Sequence, residues 1–482
     1  MKVKMILPAL TEARSIYSSH HIHHLKYSLF PPLGLASLAG YLDESDDIEI
    51  QDEHVEALNL NDNPALVVIE TYVTNARRAY EIADHYRSRG SYVCLGGLHV
   101  TALPSEAVAH ADSIFLGPGE DTWPQFLDDF RRGVPKQAYQ SVTRNLTETP
   151  PVRRDLFARD KYLCPNTIVV SRGCPHRCDF CYKESFFRCG SGYYTTTVDR
   201  ALAEIETLPG RHLFFLDDHL FGNRSFATAL FDGMQGMGRL WQTAGTVQTV
   251  LQSGLLERAV EAGLRSLFIG FETLDERNLQ TVGKFHNLQE NYELAVKRLH
   301  DLGVMINASF VFGMDYDDLS VFHRTTEWAV RNGIQTATFH ILTPYPGTRL
   351  YERFKRQGRI LTKNWDLYDT RHAVYKPTRM DAEELEAGYY QAYRDFYRWS
   401  GIWKSAMVKP DYRDQLRHLA YAVGWKKCEK LWGKIVAAGQ LPRMIPVLEA
   451  TLSGFGRYSS PRPQKHSLAS IFRTKEKQTV SA

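Results

Sequence analysis

Ser171-Arg-Gly-Cys174-Pro-His-Arg-Cys178-Asp-Phe-Cys181-Tyr182 sets three cysteines in a Cys-x3-Cys-x2-Cys spacing. Three thiolates on one short loop are one too few for a closed four-cysteine site. Iron–sulfur clusters are held by cysteine thiolates, and a cubane with three protein ligands leaves one iron open to a substrate. Zinc is the alternative, since His176 lies between two of the cysteines and would complete four ligands.

Working outward, Thr167–Val170 is an apolar strand that runs straight into the cysteine loop. Further strand signals follow at His212–Leu216, Gly245–Leu251, Ser266–Phe271, Val304–Phe312 and Thr336–Leu342. Helical stretches separate them, among them Thr197–Leu208, Leu255–Ala262, Asn287–Leu302 and Val321–Gly333. Six strand–helix units predict an open (βα)6 barrel over residues 163–375, with its chemistry at the carboxyl ends of the strands. The cysteine loop begins at such an end.

The cysteine spacing, with Phe180 before the third cysteine, resembles the signature of the radical S-adenosylmethionine enzymes. The resemblance implies a [4Fe–4S] cluster on Cys174, Cys178 and Cys181, with S-adenosylmethionine on its open iron and Phe180 beside it. That family usually carries a Gly-Gly-Glu-like segment after the second strand. Here Asp217-Asp218 stands in its place, as in several cobalamin-dependent relatives, so Asp217 and Asp218 are candidates to meet the methionine ammonium. A helix N-cap is the bland reading of either Asp. Phe268-Ile-Gly-Phe-Glu272-Thr273 resembles the segment near the ribose, which makes Glu272 a candidate hydroxyl contact. Its alternative is a surface Glu.

Residues 1–135 alternate strands (Lys2–Leu7, Ile48–Val55, Ala65–Ile69, Tyr92–Leu95, Ile114–Leu116) with helices. This pattern predicts a doubly wound, Rossmann-like parallel sheet, whose ligands sit at the carboxyl ends of the strands. Leu95-Gly96-Gly97-Leu-His99-Val-Thr101 and Phe115-Leu-Gly117-Pro-Gly119-Glu120 fall there. Together with Phe30-Pro-Pro-Leu-Gly they resemble the cobalamin-binding domain that precedes many radical S-adenosylmethionine barrels. The resemblance makes Gly96, Gly97, His99, Thr101, Gly117, Gly119 and Glu120 candidate cobalamin contacts, while tight turns are the bland reading of each glycine pair. Asp52-Glu-His54 looks like a cobalt-ligand loop but follows the second strand, so His54 receives no cobalt role. His20, His21, His23 and His24 read as a solvated loop, with corrin, substrate or metal contact as alternatives.

Residues 136–162, with Pro150-Pro151, read as a linker. Residues 376–455 read as helical, and the aromatic stripe from Tyr389 to Trp403 reads as core packing or as a cap on the barrel. Residues 456–482 read as a disordered basic tail, net +5 from Arg457 onward. Leu468, Ile471 and Phe472 give that tail one small apolar face. The whole chain of 482 residues is only +3, which gives no basis for nucleic-acid binding. Seven scattered and clustered cysteines without a disulfide framework, and no long apolar run, predict a cytoplasmic protein without a transmembrane segment. A peripheral membrane position is the alternative.

The resemblance therefore implies an enzyme, a class B radical S-adenosylmethionine methylase. It would use a [4Fe–4S] cluster, S-adenosylmethionine and cobalamin to methylate an unactivated carbon of a small molecule or lipid. An electron donor such as flavodoxin or ferredoxin would be its partner. A cobalamin-dependent radical cyclase and a redox-sensing binding protein are the alternatives.

Overall fold

A computed structural model describes residues 1–10, 28–252 and 254–458. The histidine run at 20–24 and the tail with Leu468, Ile471 and Phe472 lie outside the described residues.

The first unit is a six-stranded, wholly parallel sheet. Its strands are β1 (Lys2–Leu7), β2 (Asp47–Asp52), β3 (Leu66–Glu70), β4 (Tyr92–Gly96), β5 (Ser113–Leu116) and β6 (Ala138–Gln140), in the spatial order 2-1-3-4-5-6. Near-continuous apolar runs such as Leu66-Val-Val-Ile bury both faces of the sheet, as crossover helices on each side require. The order reverses between β1 and β3, and in such sheets ligands bind in the crevice at that switch point.

Strand β6 lies in the stretch expected to be a linker. Only three residues long and exposed–buried–exposed, it is held by Tyr139, whose ring stacks on Phe115. The following residues strap back over the sheet. Phe157 and Tyr162 enter its core, and the Tyr162 hydroxyl donates to Asp52 at 3.1 Å. Residues 136–162 are thus a packed extension of the first unit, because their aromatics have a core to enter.

The second unit starts at β7 (Thr167–Ile168). A short antiparallel ribbon, β8 (Ser171–Gly173) and β9 (Tyr193–Thr195), flanks the cysteines. Then come β10 (His212–Phe215), β11 (Leu240–Gly245), β12 (Leu264–Glu272), β13 (Met305–Phe312) and β14 (Thr336–Ile341). Strands β7 and β10 to β14 form one parallel sheet in that order, with β7 and β14 as its two edges. The third barrel strand is therefore Leu240–Gly245, not Gly245–Leu251. Thr246 accepts the Thr249 N–H at 3.1 Å and starts a helix, Val247–Leu251.

The edge of β14 is covered by the helix Ala382–Tyr397. The Tyr397 hydroxyl accepts the Ala337 N–H at 3.0 Å and donates to the Ala337 carbonyl at 2.8 Å. Tyr393 does the same to Phe339 at 3.1 and 3.2 Å. Two phenols thus occupy backbone groups that an open edge would offer to another chain.

The remaining C-terminal helices close the end of the barrel opposite the cysteines. Glu449 accepts the N–H groups of Arg211 and His212, at the start of β10. Arg417 donates to the Gly303 carbonyl ahead of β13, and Lys409 to the Gly333 carbonyl ahead of β14. The aromatic stripe from Tyr389 to Tyr397 is thus packing and edge cover, Trp399 and Trp403 are exposed, and these helices cap the floor rather than the mouth. Among the described residues no helix is long and apolar enough to cross a membrane.

Candidate active site

The cysteine loop is fastened by the two acids after β10. Asp217, buried, accepts the Ser171 N–H and hydroxyl, each at 2.5 Å, and the Val170 N–H at 3.2 Å. Burial pushes its carboxyl up to about 7, and the donors from Ser171 and Val170 pull the other way. Asp218 accepts the Gly173 N–H at 2.9 Å and pairs with Lys183. Neither acid is a helix N-cap; Asn223 caps the helix that follows. Gly173 has φ +81°, and a Cβ there would collide with the Gly192 carbonyl, so the turn into Cys174 admits only glycine.

Cys178 is buried, and Cys174 and Cys181 are half-buried. Burial pushes the Cys178 thiol up to about 12, while the Lys284 ammonium acts in the opposite direction. Bare thiolates would be costly here, and a bound iron would supply the compensating positive charge. The zinc alternative does not find its ligand set. His176 stacks on His286 at 3.7 Å between ring centroids. Among the described residues no three His, Cys, Asp or Glu side chains converge on one ion. Phe180, half-buried, packs against the barrel core beside the third cysteine.

Glu272 ends β12 in the left-handed region, φ +64°. A non-glycine residue held there costs roughly 1–3 kcal/mol, and such strain clusters at functional sites. Its carboxylate meets Lys284 Nζ at 2.5 Å, both side chains nearly buried. Burial works against the Lys284 charge, but Glu272 together with Cys178 and Cys181 outweighs it and raises the ammonium's pKa. Glu272 is therefore not a surface residue.

The first unit docks its strand ends over this mouth. Arg172, two residues before Cys174, forms an ion pair with Glu120 in the turn after β5. Burial opposes the guanidinium's charge, and Glu120 together with Tyr194 and Asp218 more than offsets it. Thr101 ties the two glycine turns together. Its hydroxyl donates to the Gly97 carbonyl and accepts the Gly117 N–H, both at 2.9 Å. Gly97, at φ +116°, lies so close to Thr71 that a Cβ would sit 2.7 Å from the Thr71 carbonyl oxygen. Gly96 and Gly119 carry the turns past Phe115 and Leu38.

His99 is wholly buried, with Nε2 3.0 Å from Glu106 and Nδ1 without a partner within the protein. Trp365 from the barrel unit donates to the same carboxylate at 3.2 Å. His99 therefore helps seat one unit on the other. His54 is also engaged at both ring nitrogens, by Asp52 at 2.7 Å and by the Leu10 N–H at 3.0 Å.

Sequence reasoning missed Arg172, Lys183, Lys284 and the pair Glu70–Tyr72. Tyr72 donates to Glu70 at 2.9 Å at the end of β3, and burial raises the Glu70 carboxyl. Lysine or arginine close to the cysteines was the available signal for Arg172 and Lys183.

Residues 168–329 match the family model described as the radical SAM superfamily. The bacteriochlorophyllide d C-12(1)-methyltransferase of Chlorobaculum tepidum is 29% identical over 79% of this chain and 85% of its own. The hopanoid C-2 methylase of Rhodopseudomonas palustris is 24% identical over 69% of this chain and 66% of its own. Among solved structures, the radical S-adenosylmethionine methyltransferase TsrM from Kitasatospora setae, with cobalamin and a [4Fe–4S] cluster bound, superimposes with a TM-score of 0.57. It covers 82% of this chain and 81% of its own at 16% identity. With the cysteine triad at the mouth of a six-stranded barrel, these matches give the chain a radical SAM domain over residues 168–329.

Proposed function

We propose that the protein is a cobalamin-dependent radical S-adenosylmethionine C-methyltransferase acting on a lipophilic small molecule. The observation that carries it is the docking of the glycine turns of the first unit onto the strand that delivers Cys174, through Glu120 and Arg172.

The residues fit the groups. Cys174, Cys178 and Cys181 would hold the cluster. Phe180, Asp218 and Glu272 surround the place for S-adenosylmethionine, with Asp217 setting the loop from behind. Gly96, Gly97, Gly117 and Gly119, packed against Phe115, Thr71, Ser141 and Leu38, shape the turns that would face cobalamin. Two buried polar atoms there, Thr71 Oγ1 and Arg172 Nε, have no partner within the protein. When bound, the cluster with S-adenosylmethionine supplies one-electron carbon–sulfur cleavage, and cobalamin supplies the methyl group.

The chain's own work is binding and exclusion. Lys183 and Lys284 place positive charge beside the thiolates, and the strap of residues 136–162 fixes the upper unit. A lipophilic substrate is supported by the relatives' names, a bacteriochlorophyllide and a hopanoid. An external one-electron donor of the flavodoxin or ferredoxin class completes the reading. The seven free cysteines support a reducing, cytoplasmic setting.

The test is anaerobic reconstitution followed by turnover with a strong reductant. Formation of both 5′-deoxyadenosine and S-adenosylhomocysteine supports a methyltransferase; deoxyadenosine alone points to a cyclase, and neither to a sensor. Alanine at Cys174, Cys178 or Cys181 should abolish deoxyadenosine, while alanine at Cys94, Cys164 and Cys428 together should leave the iron content intact.

A further inference from the structure

The helix Trp399–Met407 is turned the wrong way for a soluble surface. It buries Gly401, Ile402, Ser405 and Ala406 against the barrel floor, where the Ser405 hydroxyl donates to the Ile334 carbonyl at 2.9 Å. It exposes Trp399 (63%), Trp403 (57%) and Met407 (37%) at positions i, i+4 and i+8, along one line. Val408, Tyr412 and Leu416 continue the exposed apolar surface onto the next helix, Tyr412–Ala422. Single exposed apolar residues need no explanation, but a contiguous set of this size does.

Basic residues without an ion-pair partner border the stripe. Among the described residues Arg398, Lys404 and Lys427 make no ion pair, and Arg413 lies near Asp411, which pairs with Arg457. Of the nearby acids, Asp411 and Asp414 pair with Arg457 and Glu429 with Lys426, while Asp395, one turn before Trp399, has no ion pair among the described residues. Lys427 Nζ lies 5.2 Å over the Trp399 ring, and the Arg413 guanidinium 5.8 Å over the Tyr412 ring. The described chain ends on this same surface, with the Tyr458 hydroxyl donating to Asp414 at 3.0 Å. Residues 459–482 continue from that point and carry five Lys/Arg against one Glu.

We propose that this face docks the protein on an anionic bilayer, with Trp399 and Trp403 entering the headgroup layer and the basic residues meeting lipid phosphates. Amphipathic tryptophan and tyrosine rings belong at the membrane–water boundary, and long basic side chains lay their stems along apolar surface while their heads reach polar groups. A second copy of the chain would bring the same unpaired positive charges against these, whereas an anionic surface complements them. The face lies on the barrel floor, so docking leaves the mouth clear for substrate and electron donor.

The experiment is co-sedimentation of the full chain with phosphatidylcholine vesicles, with and without phosphatidylglycerol, at low and high salt. The expected result is binding that needs phosphatidylglycerol and weakens with salt. Trp399→Ser with Trp403→Ser should weaken it more than about tenfold, both in the full chain and in a chain ending at Tyr458. Lys404→Glu or Lys427→Glu should weaken it by at least about fivefold each. Trp399→Phe with Trp403→Phe, which keeps two apolar rings, should retain most of it and so exclude misfolding as the cause. Equal sedimentation of the wild type on neutral and anionic vesicles would overturn the proposal. So would serine variants that bind like the wild type, which would assign binding to the tail. Loss of a dimer in sedimentation velocity, with vesicle binding unchanged, would make the face a contact between copies instead.

Discussion

The guanidinium of Arg172 is held by the carboxylate of Glu120, and this pair joins the turn after the fifth strand of one sheet to the strand that delivers Cys174 in the other. Glu120 is nearly buried and Arg172 about a quarter exposed. Glu120→Ala leaves the guanidinium without its counter-charge in a largely desolvated place. Partly exposed, it should cost about 2 kcal/mol, less than the removal of a fully buried partner. Thermal unfolding checks this. Iron loading should be unchanged, since no thiolate moves its ligand role. Loss of iron without loss of stability would refute a purely joining role for the pair.

The two phenols on the edge of β14 give a second expectation. Tyr397→Phe removes the one atom that serves both the N–H and the carbonyl of Ala337. Leaving those buried groups unpaired should cost about 1–3 kcal/mol. Urea unfolding measures the loss, and light scattering at raised temperature should show earlier aggregation, because the edge is opened. A Tyr397→Phe protein as stable as the wild type would show that water replaces the phenol there.

The cysteine triad was legible because its chemistry is local, three ligands on one loop. The strand series was legible because buried parallel strands are continuous apolar runs. Gly245–Leu251 misled because Val247, Val250 and Leu251 are apolar, while the cap at Thr246 that turns them into a helix is a single hydroxyl. Strand β6 gave only one buried residue, Tyr139, which is too little periodicity to read. The pairs Arg172–Glu120 and Lys284–Glu272 were not legible, since each partner becomes specific only when two elements meet. The burial of His99 has the same cause: Trp365, which closes over it, comes from the other unit.

Buried histidines set the acid response. His212 sits at the start of β10, 2.8 Å from the Gln242 amide nitrogen, and burial depresses it to about 4. Burial, with help from the Lys409 charge, takes His418 to about 3. Unfolded, both would titrate near 6.5. The unfolded chain therefore binds protons that the folded one refuses. Their contribution to stability is full above pH 6.5 and falls as pH drops toward 4, by about 1.4 kcal/mol per pH unit for each histidine, against the opposite contribution of buried Asp217. His418→Leu should remove one such contribution from the slope of stability against pH between 6.5 and 4. It should change little at pH 8, since Nδ1 of His418 is buried without a partner. Urea unfolding across that range decides, and parallel slopes for the two proteins would contradict the assignment.

The last expectation concerns the lower face of cobalamin. The sequence Asp52-Glu-His54 invites reading His54 as a cobalt ligand. The structure commits both of its nitrogens elsewhere. Nδ1 lies 2.7 Å from the buried Asp52 carboxylate, and Nε2 accepts the Leu10 N–H at 3.0 Å. An imidazole with Nδ1 on a carboxylate has only Nε2 to offer a metal, and here Nε2 is already the acceptor for a backbone donor. Coordination would orphan the Leu10 N–H and break the link between the ends of β1 and β2. His54→Ala should therefore leave the visible spectrum of protein-bound cobalamin unchanged, and the cobalt(II) spectrum should carry no histidine-nitrogen hyperfine splitting in either protein. Stability should fall by about 1–2 kcal/mol from the two lost hydrogen bonds. A shift of the visible bands on substitution, or nitrogen splitting in the wild type that vanishes in the variant, would show that the Leu10 contact gives way to cobalt.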